Sequence, residues 1–91
     1  MDANGQRVIT LLTEVANNVR SGDYSRAASS LNEFILAFQE AGRIVPQLGK
    51  DKRLNYSLET ILLMLENKDW IAVADVIDYE FIPLWKESFP A

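Results

Sequence analysis

The chain has 91 residues, of which 48% are hydrophobic and 24% charged, and its formal net charge is −4. This length is that of one domain, and the composition excludes disordered and fibrous classes. The acidic balance opposes binding to a nucleic-acid backbone, and the absence of cysteine and histidine excludes disulfides, thiolate nucleophiles and the usual zinc sites.

The first half of the chain predicts two helices joined by a tight turn. Apolar residues at helical spacing predict a first helix over about 3–20 and a second from Asp23 to near Ile44. Gly22 can adopt the left-handed conformation past a helix end, and Asp23 can cap the next helix. Pro46 should end the second helix, because proline disfavours helical backbone in the residue before it. The segment 45–52 is therefore predicted to be a loop.

The second half predicts the same plan. A third helix begins near Asp51, and Asp69 caps a fourth helix after a tight turn. The predicted core residues of the third helix are Leu54, Leu58, Ile61, Leu62 and Leu65. Pro83 predicts a kink, since its ring destabilises a helix interior. The apolar spacing persists beyond it and predicts a kinked continuation to about Glu87. The predicted core positions of this last helix are Trp70, Val73, Ala74, Ile77, Phe81 and Leu84.

The two halves match when one is shifted by 46 residues. The apolar positions coincide, and so do the capping aspartates, Asp23 with Asp69, and the aromatic residues that follow them, Tyr24 with Trp70. Two amphipathic hairpins bury their apolar stripes best against each other. The sequence therefore predicts an all-α fold: an antiparallel four-helix bundle with pseudo-twofold symmetry, built from two similar helical hairpins. The single domain, 1–91, comprises hairpin one (about 3–45), a connector (45–52) and hairpin two (about 52–88).

Two stretches resemble known families. The first turn resembles the interior of a tetratricopeptide hairpin, where small residues on the second helix allow close packing; the residues concerned are Gly22, Asp23, Tyr24, Ala27, Ala28 and Leu31. The repeat of 46 residues differs from the 34 of that family. The segment 74–85 resembles the final helix of uncharacterised small bacterial all-helical proteins, and that resemblance implies a helical fold but no activity.

Hairpin two has apolar residues where hairpin one is mostly polar. On a helical wheel these residues point away from the hairpin core or lie on its flank; they are Leu63, Met64, Ile71, Val76, Tyr79, Ile82 and Trp85. Because a contiguous exposed apolar patch is unusual on a monomer, they predict a contact surface. Tyr79 and Trp85 are the predicted anchors, since aromatic residues dominate such contacts. In the alternative interpretation, the segment 85–89 folds back and covers this face.

Few residues suggest chemistry. Asp75 and Asp78 are three residues apart on helix four, but they are expected to keep that face soluble rather than to catalyse a reaction. Four basic residues surround the connector, and we expect them to lie in a solvated loop; they are Arg43, Lys50, Lys52 and Arg53. No glycine-rich phosphate loop is present. We therefore expect no enzyme, no cofactor and no metal.

The sequence favours a non-enzymatic module that binds another protein or a second copy of itself, as a homodimer. A first alternative is a small acidic chaperone or adaptor that holds a partner helix in a groove lined by Ile71, Val76, Tyr79 and Ile82. A second is a carrier of a small molecule or lipid, with its cavity between the hairpins. The N-terminal residues lack the features of a secretory signal, and the longest apolar run is too short to span a bilayer, so a cytoplasmic location and no membrane partner are expected.

Overall fold

The computed structural model describes residues 1–89, and all regular secondary structure in that range is helical. The helices are α1 (Ala3–Arg20), α2 (Tyr24–Ile44), α3 (Pro46–Lys50) and α4 (Lys52–Glu66), followed by a continuous segment of α5 (Trp70–Val76), a π-helical turn (Ile77–Phe81) and α6 (Ile82–Ser88). The predicted bounds of α1 and α2 are confirmed.

Aspartate caps begin four of the helices, because a carboxylate oxygen satisfies backbone N–H groups that have no partner in the first turn. Oδ1 of Asp2 accepts from the N–H of Gly5 at 3.0 Å. Asp23 and Asp69 accept from the backbone N–H three residues on, at 3.2 and 3.1 Å. Asp51 accepts from the N–H groups of the second and third residues of α4. The predicted capping roles of Asp23 and Asp69 are confirmed.

The two predicted tight turns have the same backbone geometry. Gly22 has a φ of 77° and Lys68, at the equivalent position, has a φ of 58°. The backbone N–H of Asp23 donates to the carbonyl five residues earlier at 2.8 Å, and that of Asp69 does the same at 2.9 Å. The second turn thus adopts the left-handed conformation without glycine, which costs about 1 kcal/mol or more.

The helices enclose one core of buried apolar side chains. Helix α1 packs against α2, α5 and the π turn, and α4 packs against α5, the π turn and α6. Helices α2 and α4, by contrast, are not a closely packed pair. The first and last thirds of the chain are therefore in close contact, while one side of the molecule is more open.

The connector is helical, so the prediction of a loop over 45–52 is wrong. Proline is compatible with the first turn of a helix because the missing N–H would have no partner there, and Pro46 begins α3. Leu48 is buried in the core, and the side-chain amide of Asn55 donates to the carbonyl of Gly49 at 2.9 Å. These contacts hold α3 against α4.

The last helix contains a π turn rather than a simple kink. The N–H of Ile82 donates to the carbonyl of Ile77, five residues earlier. Pro83 follows directly, and in a regular α-helix its ring would clash with the carbonyl of Tyr79. The wider turn provides the room and adds one residue, which is how π turns usually occur inside α-helices.

The added residue changes which side chains face the core. Residues spaced by four are all fully buried along this segment: Val73, Ile77, Phe81 and Trp85. Leu84, a predicted core residue, is only half-buried. The prediction that Trp85 lies on the outer face is wrong: its ring stacks on Phe81, and its Nε1–H donates to the carbonyl of Gly5 at 3.0 Å.

Candidate functional site

The seven predicted contact residues fall into three groups. Leu63, Ile71 and Tyr79 are exposed, with relative accessibilities of 51%, 71% and 77%. Met64 and Ile82 are half-buried and pack against the core. Val76 and Trp85 belong to the core itself, so the predicted surface location of these two is corrected. Val76 faces inward on α5, and Trp85 is turned inward by the π turn.

The end of the described chain does not cover the exposed residues. Phe89 is buried with its ring centroid 5.2 Å from that of Trp85. A Cβ atom on Gly5 would lie 3.0 Å from the Phe89 ring, which places this ring at the beginning of α1. Ile71 and Tyr79 remain exposed. The alternative in which residues 85–89 cover the predicted face is therefore wrong.

Two of the exposed residues, Ile71 and Leu63, lie in different grooves. Ile71 shares a shallow groove with Val19, Arg20 and Tyr24, which we call the turn surface. A second groove is formed along α4, and we call it the α4 surface; it contains Leu62, Leu63 and Leu65 together with Glu59 and Glu66. The predicted single face of hairpin two is thus divided, and Leu62 and Leu65, predicted as core residues, belong to its α4 part.

The turn surface carries aromatic and ionic contacts. Tyr24 and Trp70 stack with their ring centroids 5.7 Å apart. The guanidinium of Arg20 pairs with the carboxylate of Asp78, and this hydrogen bond raises the pKa of Arg20. One of the two aspartates considered for acid–base chemistry is therefore held in a surface ion pair. An exposed pair of this kind contributes about 0–1 kcal/mol to stability.

The α4 surface is explained by comparison with α1. At the equivalent positions of α1, Leu12, Ala16 and Val19 are all buried. On α4, Leu58 and Leu65 are half-buried and Leu62 is 38% exposed. The difference arises because α5 packs against α1, whereas α2 does not pack closely against α4. Apolar residues of the same spacing are covered in one half of the molecule and left open in the other.

The two sides of the molecule differ in side-chain size at equivalent positions. The distance between packed helices depends on the residues at their contact. Ala16 allows α5 to approach α1, and Ala74 on α5 is buried as well. Leu62 stands at the position equivalent to Ala16, and its larger side chain is incompatible with an equally close approach of α2 to α4. Ala28, equivalent to Ala74, is correspondingly only half-buried.

The charge beside the α4 leucines is negative. Glu59 and Glu66 are exposed and border the same groove as Leu62 and Leu63. They are seven residues apart, so they lie on nearly the same side of the helix, two turns apart. Neither glutamate forms an ion pair with a cation in the described part of the chain. The groove is therefore an apolar strip with an acidic border.

The basic residues around the connector are partly neutralised. Arg43 pairs with Glu40. Arg53 pairs with Glu87 at 3.0 Å and with Asp51 at 3.6 Å. Burial alone would raise the pKa of Asp51, but hydrogen bonds from Ser88, from two backbone N–H groups and from Arg53 together lower it. These pairs tie α4 to α6 and reduce the positive field of the connector.

Neither a metal-ligand cluster nor a membrane-spanning helix is found among residues 1–89. No three histidine, cysteine, aspartate or glutamate side chains there are close enough to hold a metal ion. No helix in that range has both the length and the apolar character needed to cross a bilayer.

Comparison with known proteins places the chain in a family. No curated protein and no solved structure matches it. A family model described as a domain of unknown function (DUF8042) matches residues 5–88, which span α1 through α6. The resemblance to uncharacterised small helical proteins agrees with this match. The match covers nearly all of the described helices, and the chain therefore belongs to the DUF8042 family.

Proposed function

We propose that this chain is a non-enzymatic protein-interaction module whose contact surface is the α4 surface. One observation carries the proposal: Leu62 and Leu65 of this surface, and Leu58 one turn before Leu62, are partly exposed, while their equivalents on α1 are buried. A second protein that covers these leucines provides the burial that the chain itself does not.

The energy available from such a contact is sufficient for binding. Full burial of a leucine side chain stabilises by about 1.5–3 kcal/mol relative to exposure. Leu63 is 51% and Leu62 38% exposed, so each still offers a part of that amount. Together with the half-buried Leu58 and Leu65, the surface can supply on the order of a few kcal/mol before the entropic cost of association is subtracted.

The proposed architecture is an antiparallel four-helix bundle of two hairpins, α1–α2 and α4 with the segment α5–α6, related by a pseudo-twofold axis. Two features support it. The turns at Gly22 and Lys68 share their left-handed backbone and capping pattern. Tyr24 and Trp70, which are equivalent by the 46-residue offset, contact each other. Helix α3 has no counterpart in this symmetry.

The geometry favours surface binding over the carriage of a small molecule or lipid. A carrier needs a cavity between the hairpins. Four buried aromatic rings occupy this region and contact one another; they are Phe34, Phe38, Phe81 and Trp85. Well-packed interiors leave little room for a ligand.

The contact surface is tested by double substitution of its two exposed leucines. The variant Leu62→Ser/Leu63→Ser should keep its far-UV helicity, because both side chains are exposed, and should be retained less on a phenyl matrix than the wild type. Leu36→Ser is the matched control, since Leu36 is 66% exposed on α2, away from the α4 groove. Equal retention of all three proteins would contradict the proposal.

Self-association of the same variants is measured by light scattering after gel filtration, over a wide range of protein concentrations. A homodimer held through the α4 surface should dissociate in the double variant. Ile71→Glu, at an exposed residue of the turn surface, should leave that dimer intact. If Ile71→Glu dissociates it and the leucine variant does not, the contact surface is the turn surface instead.

A further inference from the structure

We infer that the occupant of the α4 surface is an amphipathic helix of another protein, with an apolar stripe bordered by lysine or arginine. This inference rests on the proposed function and names its partner class. It is carried by the shape of the groove, by its charge and by the arrangement that a second copy would impose.

The shape of the groove matches a helix. Leu58, Leu62 and Leu65 follow one another at spacings of four and three, so they form a stripe along two turns of α4. On α2, Ala28 and Ile35 are half-buried, whereas their equivalents on α5 and the π turn are buried. The groove beside the stripe is lined by residues of α4 itself, so it is open to a partner from outside. Such grooves accept the apolar residues of a helix at positions i, i+3 or i+4, and i+7.

The charge of the groove selects a basic partner. Glu59 and Glu66 border the leucines with a spacing of seven residues, which equals the spacing of successive flanking positions on a docked helix. A lysine or arginine at each flank would face a carboxylate. The net charge of −4 acts in the same direction, because it attracts a cationic segment at long range and raises the association rate.

The same charges disfavour a second copy. A twofold dimer could pack α4 antiparallel against α4 of a second copy, with the axis between Leu62 and Leu63. In that dimer Glu59 of each copy faces Glu66 of the other, so two pairs of like charges meet. Like charges at a contact oppose association. A basic helix makes the same apolar contacts and replaces both repulsions with attractions.

The test uses two synthetic helical peptides of about 18 residues, long enough to form a helix on binding. Both carry leucine at i, i+3, i+4 and i+7; one has lysine and the other glutamate at the flanking positions. Binding of the fluorescently labelled peptides to the full chain is followed by anisotropy. We expect the lysine peptide to bind at least about tenfold more tightly than the glutamate peptide, a difference of about 1.4 kcal/mol.

Matched variants separate the groove from the overall charge. Leu62→Ser and Glu59→Gln/Glu66→Gln should each weaken binding of the lysine peptide by about tenfold or more. The control Glu14→Gln/Glu33→Gln makes the same change in net charge at two exposed residues of the α1–α2 side, and Leu36→Ser removes a leucine elsewhere. Both controls should change binding by less than about twofold.

The outcomes distinguish this inference from the proposed function. If the two peptides bind equally and Leu62→Ser weakens both, the apolar contact surface stands and the basic partner is wrong. If the protein is a dimer that Leu62→Ser dissociates, the proposed function stands and the occupant is a second copy. Equal effects of the Glu14/Glu33 and Glu59/Glu66 variants would show nonspecific attraction and overturn the inference. Binding of neither peptide by a protein that is monomeric at every concentration would overturn both.

Discussion

Tyr24 and Trp70 stack face to face, with an interplanar angle of 13° and ring centroids 5.7 Å apart. Each follows the aspartate that caps its helix, and the two are 46 residues apart. Contact between equivalent residues is what a twofold arrangement produces near its axis, as in a symmetric dimer interface. The stacked pair therefore joins the two turns at the point where the proposed pseudo-twofold axis passes.

This stacking should be measurable as a coupling energy. In a double-mutant cycle with Tyr24→Ala and Trp70→Ala, we expect the free energies of unfolding to be non-additive by about 0.5–1.5 kcal/mol, the usual value for an aromatic pair. Urea denaturation followed by far-UV circular dichroism supplies all four values. Tyr56→Ala is the control partner, since Tyr56 is 69% exposed and lies on α4, away from the stacked pair. Additivity of Tyr24 and Trp70 would contradict the stacked arrangement.

The π turn predicts which residue near the end of the chain is essential to the core. Trp85→Ala should cost about 3–5 kcal/mol of stability, because a fully buried ring is removed and the carbonyl of Gly5 loses its donor. Leu84→Ala should cost much less, since Leu84 is half-buried. Thermal unfolding of both variants provides the comparison. The reverse order would indicate a regular α-helix through residues 77–81 and contradict the π turn.

The sequence predicts local features well where one residue determines the backbone. Asp23 and Asp69 identify their helix starts, because a cap depends on a single side chain and its neighbouring N–H groups. Gly22 and Pro46 likewise identify a turn and a helix end. The exposure of Leu63, Ile71 and Tyr79 follows from helical spacing alone.

Features that depend on packing between distant segments are not predicted. The π turn adds one residue after Ile77 and so changes which of the following side chains face the core. Regular helical spacing therefore predicts Leu84 as the core residue, whereas the structure has Trp85 there. The α4 surface depends on how closely two pairs of helices approach. The signal for it was present in the repeat, where Ala16 is matched with the larger Leu62, but periodicity treats both as apolar. The size of the side chains at equivalent positions, rather than their hydrophobicity, indicates which side of the molecule is open.

The open side of the molecule predicts unequal costs for equivalent substitutions. Leu12→Ala should destabilise by about 2–5 kcal/mol, the range for a fully buried leucine. Leu58→Ala, at the equivalent position, should cost roughly half as much, because Leu58 is only half-buried and water can fill the space that is left. Urea denaturation measures both losses of stability: if the unfolding free energy of each variant depends on urea concentration with the same slope as in the wild type, the shift in the midpoint gives the cost. Equal costs would mean that α2 closes on α4 in solution.

One buried polar group offers a gain in stability. The hydroxyl of Ser57 on α4 is buried, and among the described residues it has no hydrogen-bond partner. Ser57→Ala should therefore raise stability by about 1 kcal/mol, since an unsatisfied buried group is removed and alanine favours the helix. Ser30→Ala is the control, because the Ser30 hydroxyl donates to Glu14 at 3.4 Å. The control should show no gain, and a loss of stability in Ser57→Ala would reveal a partner for that hydroxyl.

Asp51 predicts a dependence of stability on pH. Burial acts to raise its pKa, but the hydrogen bonds of Ser88, the α4 N-terminus and Arg53 prevail and lower it. Because the folded state favours the charged carboxylate, its contribution is fully present above the unfolded pKa, which is near 3.9, and is lost as the pH falls through the lower folded value.

An asparagine side chain at position 51 can still cap α4 but cannot ionise. Asp51→Asn should thus be less stable than the wild type at neutral pH by on the order of 1 kcal/mol, with the difference shrinking below about pH 4. Urea unfolding of both proteins between neutral and acidic pH measures this. A difference that is constant over the whole range would assign the effect to a neutral hydrogen bond rather than to the charge that joins α4 to the end of α6.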